Sequence, residues 1–397
     1  MNKVLVVIFT AIGLDAVGIG LIFPILPRLI EDVTHTRNVA SYIGILTALY
    51  AAMQFAFAPV LGALSDRIGR RPVLLISLGG AAINYLLMAV APTLAFLIIG
   101  RAIAGLTSAN ISVATAYITD ISPKETRAKR FGLFNAMFGI GFILGPVLGG
   151  VLGDHWVRLP FIAAAVLNAA NFLLAVLVLP ESRPPSHEKM DLRALNPLRP
   201  LQWAFSMKSL QPMIATFFML SATGEVYGTC WALWGNDVFG WNGLWIGLSL
   251  GAFGICQTLA QAFLPGPAVR LFGERWAVLI GIAGACSALT AMAFIRKGWM
   301  VFPVMPVVAL ASIGTPALQS LATQLVDDSR QGQFQGVLAS AMSMASIVGP
   351  LLFSTCYFVV KDRWPGAIWL SALVVNAMAV PLVLSLRFQS VTEPKTY

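Results

Sequence analysis

Apolar residues run through this chain in long blocks separated by short polar segments. A helix that crosses the ~30 Å hydrocarbon layer of a bilayer needs about 20 such residues. Blocks of that length fall at roughly 4–27, 41–62, 73–92, 94–117, 131–153 and 159–180, and again at roughly 212–234, 246–269, 276–295, 300–324, 334–358 and 366–386. The pattern predicts an all-α membrane protein with twelve transmembrane helices. Barrel strands would alternate over about ten residues, and these blocks do not. The first block follows Lys3 as a signal peptide would. It continues into Pro24-Ile25-Leu26-Pro27 without a small-residue cleavage pattern, so it reads as a retained span.

Composition closes off the alternatives. Of 397 residues, 58% are apolar and 11% charged, against about 45–50% and about 25% in soluble domains. So few charges could not cover a water-soluble enzyme of this size, and disordered chains are polar and charge-rich. The formal net charge of +9 finds its explanation in the loops. With the N-terminus inside, 18 Lys and Arg fall in cytoplasmic segments and 7 on the other side, leaving Arg101 within a span. That bias predicts both termini in the cytoplasm and calls for no nucleic acid partner. Cys230, Cys256, Cys286 and Cys356 stand singly in apolar stretches, and His35, His155 and His187 lie far apart, so no metal site or disulfide is expected.

The longest polar segment, with Pro184, Pro185, Pro197 and Pro200, separates six spans from six. It predicts an N-terminal six-helix bundle (1–180), a cytoplasmic linker (181–209) and a C-terminal six-helix bundle (210–397). The halves also repeat at a fixed offset of 204. Gly62, Gly69 and Arg71 recur as Gly266, Gly273 and Arg275, and Gly132, Gly145 and Pro146 recur as Gly336, Gly349 and Pro350. A shared offset at two separate sites points to duplication, the plan of many alternating-access transporters with a substrate site between the halves.

Two segments carry recognisable chemistry. The loop after the second span holds Gly62, Asp66, Arg67, Gly69, Arg70 and Arg71. Its glycines permit a tight turn, and a carboxylate among guanidinium donors suits a charge-assisted latch. A plain positive-inside anchor would need only the arginines. The fifth span holds Gly132, Gly141, Gly145, Pro146, Gly149 and Gly150; small residues allow close helix packing, and the proline favours a bend.

These segments resemble the major facilitator superfamily, in particular its twelve-span drug/proton antiporters. The loop matches the signature between spans two and three. The fifth-span glycines with Pro146 match the antiporter signature, Arg101 with Gly105 matches a fourth-span arginine motif, and Pro24 with Pro27 matches the end of span one. Within that superfamily the likeness is to the bacterial tetracycline/proton antiporters. It is carried by Leu14-Asp15-Ala16-Val17-Gly18-Ile19-Gly20-Leu21, Ala48-Leu49-Tyr50, Ser65-Asp66-Arg67, Ala260-Gln261-Ala262-Phe263 and Pro316-Ala317-Leu318-Gln319, among others, from about residue 4 to 385. The resemblance implies a multi-pass protein of the bacterial inner membrane that exchanges a drug for protons. It implies no resident cofactor; a divalent cation such as Mg2+ would enter chelated to a tetracycline substrate. It further implies a small-molecule drug and protons as ligands, lipid as surroundings, and a monomer. Three positions depart from that family, which usually carries an acid where this chain has Asn84, a histidine near Gln257 and an aspartate near Ala285.

Three charges remain within the spans: Asp15, Arg101 and Glu225. Each costs roughly 2.5–3.5 kcal/mol at mid-bilayer unless it meets a cavity or a partner. Around Glu225, Ser221, Gly228, Thr229 and Ala232 form a small, polar helical stripe. Glu225 is the expected proton-exchanging carboxylate, with Asp15 and Arg101 assisting. A static buried acid, or packing alone for Asp15, would place the same residues there. Arg101, Gly105, Ser108 and Ser112 share one face of span four, as do Gly254, Gln257 and Gln261 on span eight. The expected substrate cavity comprises Gln54, Asn84, Ser108, Tyr227, Trp231, Gln257 and Gln261. With acids and few bases, it would favour cationic or zwitterionic lipophilic drugs. Asp66, Arg67 and Arg70 would lock the cytoplasmic side while the cavity faces outward. The rival reading is a multidrug or endogenous-metabolite exporter or facilitator of the same fold that does without the family's substrate or proton route. An enzyme is not expected, since neither clustered catalytic groups nor a GxxxxGK[ST] loop is present.

Overall fold

The structure is a computed structural model that describes residues 3–36, 38–108, 110–182, 196–198, 202, 210–323 and 331–385. The described residues are helical and contain no strand. Most of the expected linker (181–209) lies outside the described residues.

The twelve apolar blocks appear as helices, several of them broken. Span one runs Lys3–Ile22, turns through Phe23–Ile25, and gives way to a short helix Leu26–Thr34. Pro24 and Pro27 account for the break, because proline cannot donate the next helical hydrogen bond. Span two is Ala40–Ile68, span three Arg70–Val90, span five Lys124–His155 and span six Leu159–Val178. Span four is two pieces, Leu94–Thr107 and Asn110–Asp120. In the second half, span seven is Gln211–Phe239, span eight Gly243–Phe263, span nine Pro265–Phe294 and span eleven Gln331–Val360. Span ten is Val301–Leu310, a 3₁₀ turn Ala311–Ile313 and Gly314–Thr323, with Pro306 inside its first piece. Span twelve is Ala367–Ala377 with Ala379–Ser385. Among the described residues 11 of these are long and apolar enough to cross a membrane. Span seven is the exception. Its 29 residues suffice in length, but Thr216, Ser221, Thr223, Glu225, Thr229, Asn236 and Asp237 dilute its apolar character.

The exposure pattern is that of a protein solvated by lipid. Leu177, Leu271, Val359 and Phe263 stand out from the bundle, whereas Asp15, Asn84, Asn168, Asn171, Thr216, Ser249 and Asn376 are buried. Only polar groups inside the bundle can find partners when the outside is hydrocarbon. Asn171 donates to the Ala11 carbonyl at 3.2 Å, and Asn376 to the Ile282 carbonyl at 3.2 Å.

Small residues set how closely the helices approach. A Cβ on Gly141, Gly145 or Gly149 would overlap the backbone of span one at Gly13, Val17 and Leu21. Between the halves, span five lies against span eight and span two against span eleven. A Cβ on Gly150 would strike Gly243, and one on Gly44 would strike Ser354. Close approach of this kind replaces the hydrophobic drive that membrane helices lack.

The repeat is visible in the backbone. Gly69 has φ 103° and ψ 160°, and Gly273, 204 residues later, has φ 77° and ψ 164°. This conformation is open essentially to glycine alone. Arg71 donates to the Val176 carbonyl at 2.7 Å, and Arg275 does the same to Leu384 at 2.5 Å.

Candidate functional site

A cavity of about 570 Å³ lies in the second half, walled by spans seven to ten and closed on the first-half side by Phe23, Phe142 and Pro146. Glu225 lines it, and Ser346 of span eleven donates to its Oε1 at 2.7 Å. Gly349, one helical turn from Ser346, is the reason the two spans can meet there, since a Cβ would press on the Glu225 side chain. Tyr227, Gln257 and Gln261 line the same space, together with Thr223, Ser312, Thr315 and Asn376. Tyr227 stacks on Phe253 at 5.5 Å between centroids, so the wall offers an aromatic face beside a carboxylate and several uncharged polar groups. No Lys or Arg is among the described residues that line it.

Trp231, expected on that wall, is placed behind it. Its indole N–H donates to Ser249 Oγ at 2.8 Å, and its ring meets Trp234 and Trp369 edge-on. A buried indole N–H gains from an acceptor, and Ser249, which is not among the cavity's lining residues, supplies one for Trp231. Gln54, Asn84 and Ser108 are not among the cavity's lining residues either. Ser108 bonds Tyr50 Oη at 2.8 Å and receives Gln54 Nε2 at 3.0 Å, forming a small polar knot at the break in span four. Asn84 is buried on span three against Gly100 of span four.

The other two intramembrane charges lie in the first half, and Arg101 adjoins this knot. Arg101 holds its guanidinium over the Tyr50 ring, 5.9 Å from the centroid, and its Nε is buried without a hydrogen-bond partner. Asp15 is buried beside Ile8, Ile12, Leu74 and Leu78. Tyr50 and Tyr85 stand within the electrostatic fields of both charges. Asp15 is therefore not the counterpart of Glu225. At the offset of 204, Glu225 corresponds to Leu21 and Gly224 to Gly20. The carboxylate of the cavity occupies a position that is a buried leucine in the first half.

Known proteins bear directly on this arrangement. The family model of the Major Facilitator Superfamily matches residues 8–251 and again 204–396. The chain is 46% identical over 380 residues to the class C tetracycline resistance protein of Escherichia coli, covering 96% of each, and 40% identical over 383 residues to the class G protein of Vibrio anguillarum, covering 96% of this chain and 98% of that one. The chain belongs to the Major Facilitator Superfamily, among its tetracycline resistance proteins. A quinolone resistance protein of Staphylococcus aureus, NorA, is 26% identical over 90% of this chain and 91% of its own. Among solved structures, the nucleoside transporter NupG superposes with a TM-score of 0.79 at 15% identity, covering 97% of this chain and 98% of that one, which supports the fold alone.

The superfamily loop forms a charge network whose centre is Arg70. Its guanidinium meets Asp66 at 2.7 Å, Asp120 at 3.3 Å and Ser65 Oγ at 2.6 Å. Glu181 Oε1 accepts the Arg70 backbone N–H at 2.7 Å, and Glu181 Oε2 accepts that of Arg71 at 3.2 Å. Gly69 is required by its positive φ, and a Cβ there would in addition push the Glu181 carboxylate aside. These bonds join the first half to Glu181, the first residue of the expected linker. Arg67 is exposed and joins none of them, while Ser65, Asp120 and Glu181, which no sequence motif singles out for the latch, do. Gly62 offers its carbonyl to Ser65 Oγ at 2.8 Å. In the antiporter motif, Gly141, Gly145, Pro146 and Gly149 pack on span one and Gly150 on span eight, but Gly132 faces open space. Of the three departures from the tetracycline antiporters, Gln257 and Ala285 line the cavity and Asn84 does not.

Proposed function

We propose that this chain exports a tetracycline-like or other lipophilic drug from the cytoplasm in exchange for protons, and that Glu225 is the carboxylate that binds and releases the proton. The observation that carries the reading is the position of Glu225 on the cavity wall, beside Tyr227, Gln257 and Gln261, with Ser346 as its hydrogen-bond donor. A carboxylate that shares a chamber with the drug couples the two ligands by competition. When charged it holds a cationic or zwitterionic drug, and when protonated it lets the drug go. The class C relative supports tetracycline as the drug. Asp15 and Arg101, which are not among the cavity's lining residues, would assist from the first half. Both termini lie in the cytoplasm in this reading, and the protein acts as a monomer without a resident cofactor; Mg2+ would arrive with a chelating drug as part of the substrate.

A second reading is favoured by Gln257 and Ala285. Both line the cavity without an ionisable group, which supports a multidrug or metabolite exporter that has given up the tetracycline antiporters' own proton route. A susceptibility panel in an efflux-deficient bacterial host separates the two, run with and without an uncoupler. The first reading predicts at least fourfold higher tetracycline tolerance from the intact chain, abolished by the uncoupler and by Glu225→Gln. Unchanged tetracycline tolerance with raised tolerance to another lipophilic compound establishes the second.

A further inference from the structure

The end of the molecule opposite the 62–72 loop contains one carboxylate shared by both halves. Asp154, at the end of span five, accepts Arg28 Nη1 at 2.6 Å and the Gly243 backbone N–H at 2.8 Å on Oδ1, and the Leu244 backbone N–H at 2.9 Å on Oδ2. Gly243 and Leu244 are the first two residues of span eight, and the Asn242 side chain accepts the N–H of the third, Trp245, at 3.1 Å. The first N–H groups of a helix have no acceptor within it and gather partial positive charge. Here three of them are satisfied by two side chains, and one of those belongs to the other half.

Below this contact the seam is tight. Gly150 packs on Gly243 and Pro146 on Gly247. Pro146 also lines the cavity. It lies eight residues from Asp154, about 12 Å along a helix. Parting span five from span eight therefore opens a route from this end to the cavity. Alongside, Lys361 after span eleven donates to Asn38 before span two.

We propose that Asp154 is a latch between the halves, holding this end shut against span eight and releasing when the cavity opens there. The proposal rests on the alternating-access reading above. Arg28 belongs to the same half as Asp154 and stays with it on opening, so the carboxylate keeps a partner in both states. The freed helix N–H groups then turn to water. The contact is thus reversible, holding one conformation without trapping it.

The test reads conformation rather than transport. In a variant with the four native cysteines replaced by alanine, Gly228→Cys places a thiol in the cavity, where a Cβ has room. A membrane-impermeant maleimide is then applied to sealed right-side-out and inside-out vesicles, with neither drug nor proton gradient. Asp154→Asn should raise labelling from outside at least threefold and lower it from inside, and Asp154→Glu should remain nearer the parent. Outside labelling that stays at the parent value in a well-inserted Asp154→Asn protein overturns the proposal. A second variant guards against misfolding: Asp154→Cys with Leu244→Cys, free of other cysteines, should lose at least tenfold in efflux on oxidation and recover on reduction. Undiminished efflux by the cross-linked protein overturns it equally. Absence of drug efflux from the intact chain would defeat the proposed function while leaving the labelling result standing.

Discussion

The loop after span two and the loop after span eight are the same backbone carrying different charges. Gly69 and Gly273 share a conformation that other residues resist, and Arg71 and Arg275 each reach a carbonyl near the end of their half's sixth helix. Yet Asp66 and Arg70 correspond to Arg270 and Glu274, and Glu181, which accepts the backbone N–H groups of Arg70 and Arg71, corresponds to Ser385. The cavity shows the reverse inequality, with Glu225 in the second half and Leu21 in the first. Duplication preserved the turn and the close packing, which the membrane demands of both halves. Charge diverged with the work of each half. The first carries the Arg70 network, and the second carries the acid of the cavity.

Substitutions at matched positions can break this comparison. The largest effect falls at Glu225, where Gln should remove uncoupler-sensitive drug tolerance altogether. Leu21→Gln should instead lower the amount of folded protein, because it buries an amide in packed helices; immunoblotting of membranes separates the two outcomes. Next, Arg70→Ala should cost about 2 kcal/mol by removing the charge-assisted bonds to Asp66, Asp120 and Ser65. Arg275→Ala should cost about 1 kcal/mol through the bond to the Leu384 carbonyl. Thermal unfolding in detergent should rank them so, and equal losses would deny the first half its special network. Gly69→Ala and Gly273→Ala should each cost about 1–3 kcal/mol for the backbone conformation. Gly69→Ala should be the worse of the pair because it also displaces Glu181. The smallest effect is Asp66→Asn. That side chain is 55% exposed, and half-exposed ion pairs contribute about 0.5 kcal/mol, so the melting temperature should hardly move.

Much of this is legible in the sequence. The twelve spans, the 204-residue repeat and the three intramembrane charges follow from periodicity and from the scarcity of charge in apolar blocks. Partnerships across long separations are not legible: Arg70 with Asp120 and Glu181, Glu225 with Ser346, and Asp154 with the start of span eight join residues 50 to 121 apart. One local signal exists for two of them, since Asp120 and Glu181 are acids beside the arginine-rich ends of spans. Helical spacing misleads at Trp231, which follows Tyr227 by four residues and by that spacing alone belongs on the same wall. Its indole N–H finds Ser249 instead. Proline signals the breaks in spans one and ten, but nothing comparable marks the break in span four at Ser108.

The central claim is that Glu225 exchanges the proton that drives export, and proton movement in inverted membrane vesicles tests it most directly. With a pH gradient imposed, adding drug to vesicles of the intact chain should release protons from the lumen at a measurable rate. Glu225→Gln should abolish that release and weaken drug binding in a protein inserted in normal amount, and Glu225→Asp should restore part of both. Drug-dependent proton release from Glu225→Gln vesicles at the rate of the intact chain would contradict the account.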